Sequence, residues 1–127
     1  MKMIKGLGID IVETDRIRQV IERHGDQFLN RVYTPAEQAI GQIRASAHHF
    51  YAGRWAAKEA AAKALGCGIG QECAFNEIEV VDSAIGVPSL VFSGSAARTA
   101  AALGAKNVRV SITHERDYAA AVVIIEE

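Results

Sequence analysis

Asp10 stands inside an otherwise apolar stretch, Gly8-Ile9-Asp10-Ile11-Val12, where a carboxylate is costly to bury unless it is paired, hydrogen-bonded or metal-bound. Further along, Trp55, Glu59 and Lys63 recur at i, i+4 and i+8, so a helix would carry them along one side, with Arg54 and Lys58 in the adjacent row. Hard divalent cations take carboxylate oxygens and keep waters or substrate phosphates as their remaining ligands. Two carboxylates, Asp10 and Glu59, beside lysine and arginine therefore suit a magnesium–phosphate site. Each residue also has a plainer reading: Asp10 as a strand-end cap, Glu59 and Lys63 as a solvated helix pair, and Trp55 as core.

Two further features bear on phosphate. Gly66-Cys67-Gly68-Ile69-Gly70 either turns backbone N–H groups toward an anion or simply ends a helix in a flexible loop. His114, after Ser111-Ile112-Thr113, opens a turn, where it would touch a phosphate, carry a proton, or merely be solvated. His48 and His49 are read as solvated. Cys67 and Cys73, six positions apart, match neither a disulfide framework nor a zinc motif, so reduced thiols and a cytoplasmic location are expected.

The elements that must hold these residues follow from local pattern. Ile4 to Val12 reads as a strand, its glycines at 6 and 8 signalling close backbone approach or a bulge. Thr14 or Asp15 caps a helix with apolar Ile17, Val20 and Ile21, ending at Gly25. Thr34-Pro35-Ala36-Glu37 carries the cap, proline and glutamate of a helix start. Residues 46 to 65 form a long alanine-rich helix stopped by Gly66, and its stripe of Ala57, Ala60, Ala61 and Ala64 permits close packing. A hairpin is expected from residues 76–82 and 89–93, a short helix capped by Ser95, and a last strand pair over 108–113 and 118–125. The order β-α-α-α-β-β-α-β-β predicts an α+β fold, a mostly antiparallel sheet packed on a long central helix, in one domain over residues 1–127.

Bulk properties narrow the function. Half of the 127 residues are hydrophobic and the net charge is -1, which leaves a well-cored chain with no global field for nucleic acid or an anionic membrane. No apolar run approaches the length of a membrane span, and the basic start lacks a small-residue cleavage site, so no export signal is expected.

Taken together, these segments resemble the holo-[acyl-carrier-protein] synthase family, the small bacterial branch of the 4′-phosphopantetheinyl transferases. Gly8-Ile9-Asp10 with Arg16 is similar to the family's first motif. Trp55-Ala56-Ala57-Lys58-Glu59-Ala60-Ala61-Ala62-Lys63, followed by Ala64-Leu65-Gly66, is similar to the second, and Ser111-Ile112-Thr113-His114-Glu115 with Tyr118-Ala119 completes the set. The resemblance covers nearly the full chain.

It implies transfer of the phosphopantetheine arm of coenzyme A to a serine of apo acyl carrier protein, with release of adenosine 3′,5′-bisphosphate, in fatty acid biosynthesis. By residue, it implies Asp10 and Glu59 as Mg2+ ligands, Lys63 on the leaving phosphate, and Arg54, Gly66, Gly68 and His114 near the coenzyme. Acyl carrier proteins are acidic, so Arg16, Gln19 and Arg23 on the first helix are the expected docking face. A homotrimer with active sites between subunits is implied too. Cys67, where threonine is common, and Ala84-Ile85-Gly86-Val87-Pro88, in place of Asn-Gly-Lys-Pro wording, depart from the family at coenzyme contacts. Two other classes compete: a non-catalytic coenzyme A or nucleotide-binding assembly module, and a metal-dependent phosphohydrolase. Asp10, Glu59 and Lys63 together argue against a pure binder.

Overall fold

The computed structural model describes residues 3–127; Met1 and Lys2 lie outside the described residues. Strand β1 (Ile4–Glu13) leads into helices α1 (Thr14–His24), α2 (Asp26–Val32), α3 (Pro35–Gln42) and α4 (Ala47–Ala64). The hairpin β2 (Ile78–Asp82) and β3 (Pro88–Phe92), helix α5 (Gly94–Leu103), and strands β4 (Asn107–His114) and β5 (Tyr118–Glu126) complete the chain. The α+β class and the antiparallel pairing agree with the sequence reading. Its single sheet is instead two, a three-stranded one ordered β1-β5-β4 and the separate β2-β3 hairpin.

Helix α4 is central because alanine lets both sheets reach its backbone. Ala52, Ala56, Ala57, Ala60 and Ala61 are completely buried, and α4 packs on β1, β4 and β5 as well as on α1 and β2. The glycines of β1 complete this contact. A β-carbon at Gly6 or Gly8 would strike the carbonyl oxygen of Ala64 or Ala60 respectively, so only glycine admits the strand so close to the helix. Gly6, Gly8, Asp10 and Val12 share the face turned to α4, while Leu7, Ile9 and Ile11 point outward.

Lys58 departs from its expected place in a phosphate-binding basic row. It is fully buried, its ammonium 2.7 Å from Glu37 Oε1 and donating also to the carbonyls of Phe75 (3.1 Å) and Ile78. Glu37 is the glutamate of the predicted helix start: it accepts from Thr34 N (2.9 Å) and, across the core, from Val80 N (2.8 Å). Every proton of the Lys58 ammonium thus has an acceptor, which is what makes a buried ion pair tolerable. This network ties α3 and α4 to the hairpin.

Smaller differences concern helix starts. Glu13, not Thr14 or Asp15, precedes α1, and the Thr14 hydroxyl donates to the Arg116 carbonyl (2.8 Å). Ser95 does not cap α5; Glu77 does so from a neighbouring 3-10 turn, accepting from Ser95 N (2.8 Å). The unpredicted α2 follows Gly25, whose φ of 53° turns the chain without ending helical structure for long.

Candidate active site

Asp10, Arg16, Glu59 and Lys63 line one cleft of about 380 Å³, together with Ile17, Val20, Phe28 and Trp55. The sequence placed these polar residues 49 positions apart on separate elements; the glycine-mediated approach of β1 to α4 brings Asp10 against Glu59 and Lys63. Lys63 Nζ donates to Asp10 Oδ1 at 3.1 Å and to the Ile9 carbonyl at 3.0 Å. The lysine is half exposed while Asp10 is mostly covered, so the ammonium sits at the mouth and the carboxylate beneath it.

Burial pushes the Glu59 carboxyl above its usual range, the negative charge of Asp10 adds to that, and Lys63 only partly offsets both. Lys63 and Arg16 line the same cleft as the two carboxylates, and of the two cations only Lys63 is paired with one of them. Among the described residues no group of three or more His, Cys, Asp or Glu is arranged to hold a metal. The protein thus offers two hard oxygen donors and no closed cage, the donor set expected where phosphate and water complete a magnesium shell. The pair fits that ion.

A second cavity, of about 530 Å³, collects a different set: Arg44, His49, Phe50, Arg54, Asp82 and His114 among its lining. Arg54 Nη2 donates to Asp82 Oδ2 at 2.5 Å, its guanidinium lies 4.5 Å from the Phe50 ring centre, and its buried Nε has no partner among protein atoms. Arg44 stands 5.3 Å from the same ring. Gly53 lies in the wall, where a β-carbon would press on Ile112 Cγ2 at 3.2 Å. Two arginines and two imidazoles against one carboxylate give this cavity an excess of positive charge, which favours anions.

Arg54 and His114 thus line the same cavity, whereas Gly66 and Gly68 line neither of the two. Their N–H groups are already used: Gly66 N donates to Lys63 O (3.0 Å) and Gly68 N to Ala62 O (3.1 Å), closing the end of α4. With φ of 84° and 67° both glycines act as helix-stop residues, the plainer of the two readings of this loop. Of the docking trio, Arg16 faces the cleft, whereas Gln19 is bonded to Asp15 Oδ2 (2.8 Å) and Arg23 ends α1 outside it. Sequence reasoning missed His49. It is not merely solvated: Nδ1 meets the Ser46 hydroxyl and Nε2 the Arg116 carbonyl (2.9 Å). The adjacent His48-His49 pair gave no hint of that.

The family model of the 4'-phosphopantetheinyl transferase superfamily matches residues 6–123. A holo-[acyl-carrier-protein] synthase of Solidesulfovibrio magneticus is 52% identical, covering 98% of this chain and 99% of that protein. The crystal structure of the holo-[acyl-carrier-protein] synthase of Neisseria meningitidis superposes with a TM-score of 0.91 at 33% identity, over 98% of this chain and 100% of that one. A holo-(acyl-carrier-protein) synthase of Bacillus anthracis, solved in complex with CoA (3',5'-ADP), superposes with a TM-score of 0.83 at 38% identity, over 98% of both chains.

Proposed function

The chain belongs to the 4′-phosphopantetheinyl transferase superfamily, and from that premise we propose that it moves the 4′-phosphopantetheine arm of coenzyme A onto a serine of apo acyl carrier protein. The observation that carries this reading is the cleft where Asp10 of β1 meets Glu59 and Lys63 of α4, with Arg16 in its wall and the lysine at its mouth.

Asp10 and Glu59 would hold a magnesium ion, which when bound neutralises the pyrophosphate of coenzyme A and favours its cleavage. Lys63, anchored on the Ile9 carbonyl and half exposed, donates to the phosphate that departs with adenosine. Arg54 and His114 hold the phosphorylated adenosine end in the larger cavity, the Arg54 guanidinium being fixed in direction by Asp82. The serine oxygen of the carrier forms the new bond to the pantetheine-side phosphorus and its proton is released to water, while the pyrophosphate bond breaks and adenosine 3′,5′-bisphosphate leaves with the electron pair on its phosphate oxygen. Positioning and charge neutralisation supply such a reaction without a covalent protein intermediate.

The acidic carrier docks on α1 through Arg16, Gln19 and Arg23. Arg18 is neutralised by Asp15 and Glu22, whereas Arg16 and Arg23 are in no ion pair among the described residues. Residues 1–127 act as one catalytic domain, a reading supported by a core cluster that runs from β1 through α4 to β5. The protein works as a homotrimer in the cytoplasm. Support for assembly comes from the outer face of the three-stranded sheet, where Leu7, Ile9 and Ile11 are 65–67% exposed and pair across strands with Ile124, Val122 and Ala120. A contiguous apolar patch of this kind marks an interface. No helix among the described residues is long and apolar enough to cross a membrane.

The test is incubation with coenzyme A, magnesium and apo acyl carrier protein, followed by the mass of the carrier. A phosphopantetheine gain with wild type and none with Asp10→Ala or Glu59→Ala is expected. A carrier of unchanged mass with wild type ends the transferase reading.

A further inference from the structure

The Arg116 carbonyl oxygen, in the turn between β4 and β5, accepts two side-chain hydrogen bonds, one from each of two helix starts. Thr14 Oγ1, at the buried start of α1, donates at 2.8 Å, and His49 Nε2, at the start of α4, donates at 2.9 Å. A carbonyl only accepts, so Nε2 carries the proton, while Nδ1 is hydrogen-bonded to the Ser46 hydroxyl. Ser46 precedes α4, yet its side chain makes no cap bond to the helix; it is turned onto the histidine instead. That arrangement gives up a favourable cap in order to fix one imidazole.

The imidazole so fixed faces the larger cavity. The His49 and His114 ring centres are 6.5 Å apart, both rings line the cavity wall, and His114 lies two residues before the carbonyl that His49 grips. On the other side Arg54 is one turn further along α4 from His49. His49 therefore links the helix that carries Arg54 to the turn that carries His114. Thr14 already holds the Arg116 carbonyl from the core, and Thr14 N donates to Asp117 O at 2.9 Å, so the turn stays folded without the histidine.

We propose that His49 is a positioning residue for coenzyme A, setting the spacing between His114 and Arg54 that the phosphorylated adenosine end requires. This rests on the reading of the cavity as the coenzyme site. The donor Nε2–H does the positioning, so an amide of similar reach replaces it and a methyl group does not.

The test is calorimetric titration of coenzyme A into wild type, His49→Ala and His49→Gln, with melting curves and steady-state kinetics on each. His49→Ala is expected to bind coenzyme A roughly three- to tenfold more weakly, the equivalent of one neutral hydrogen bond, with the loss falling on KM for coenzyme A more than on kcat. His49→Gln is expected to restore most of the affinity. Wild-type affinity in His49→Ala overturns the proposal, and so does an equal loss in both variants, which would mean that ring shape and not the donor matters. A lowered melting temperature with unchanged affinity also overturns it, leaving a purely structural tie. If wild type itself binds no coenzyme A, the cavity reading fails and this proposal falls with it.

Discussion

Replacing Gly8 by alanine puts a methyl group against the backbone of α4, in the place where the strand carrying Asp10 touches the helix carrying Glu59 and Lys63. The new carbon would lie 2.7 Å from the Ala64 nitrogen and 2.9 Å from the Ala60 carbonyl carbon, and nearer still to the Ala60 oxygen. Ordinary contacts begin near 3.5 Å, and the Ala60 oxygen is the nearest atom, so β1 has to withdraw by roughly 1.6 Å. Helix backbone cannot yield as a side-chain tip would. The Lys63–Asp10 contact, now 3.1 Å, then opens to about 4.7 Å, beyond hydrogen-bonding reach. Overpacking of this kind costs about 1–3 kcal/mol, which for a chain of this size lowers the melting temperature by about 4–12 °C. A displacement of more than 1 Å at a reacting centre lowers transfer by about a hundredfold. Circular dichroism melts and carrier mass spectrometry read the two effects. Gly70→Ala is the matched control, since nothing lies within 4 Å of its β-carbon position and its φ is not in the left-handed region. A Gly8→Ala protein that melts and transfers like wild type would refute the claim that glycine-mediated contact assembles the site.

Three other outcomes follow from the same structure. Burial and the charge of Asp10 raise the Glu59 carboxyl above its ordinary 4.5, so its ionisation opposes folding: metal-free wild type should lose stability as pH rises from about 4.5 through the elevated value, and magnesium should restore it. Glu59→Gln should lack both the decline and the magnesium response; melts against pH with and without magnesium decide. Lys58→Ala strands Glu37 in the core and should cost about 3–5 kcal/mol in urea unfolding, whereas Lys58→Met paired with Glu37→Leu should recover much of it; equal losses would discount the uncompensated charge. Ile9→Asp on the exposed sheet face should move the mass measured by light scattering from trimer to monomer, and an unchanged mass would exclude that face as the interface.

What the chain's order alone determined is mainly local. Proline, threonine and glutamate at 34–37 dictate a helix start, alanines at 56–64 a helix that others can approach, and glycines at 6 and 8 a strand able to approach it. The pairing of Asp10 with Glu59 and Lys63 was legible only from the two motifs taken together, since singly Asp10 reads as a strand-end cap and Glu59–Lys63 as a solvated helix pair. Side-chain spacing says which side of an element a residue occupies, but not which other element covers that side. Only the packed structure decided that Lys58 is a core residue held by Glu37 and that the N–H groups of Gly66 and Gly68 are consumed by the end of α4. The same holds for the division of the basic residues between two cavities and for His49, whose partners come from residue 46 beside it and residue 116 far along the chain. Hydrogen bonds between distant segments exist only once hydrophobic burial has brought those segments together, and that closure is a property of the whole fold.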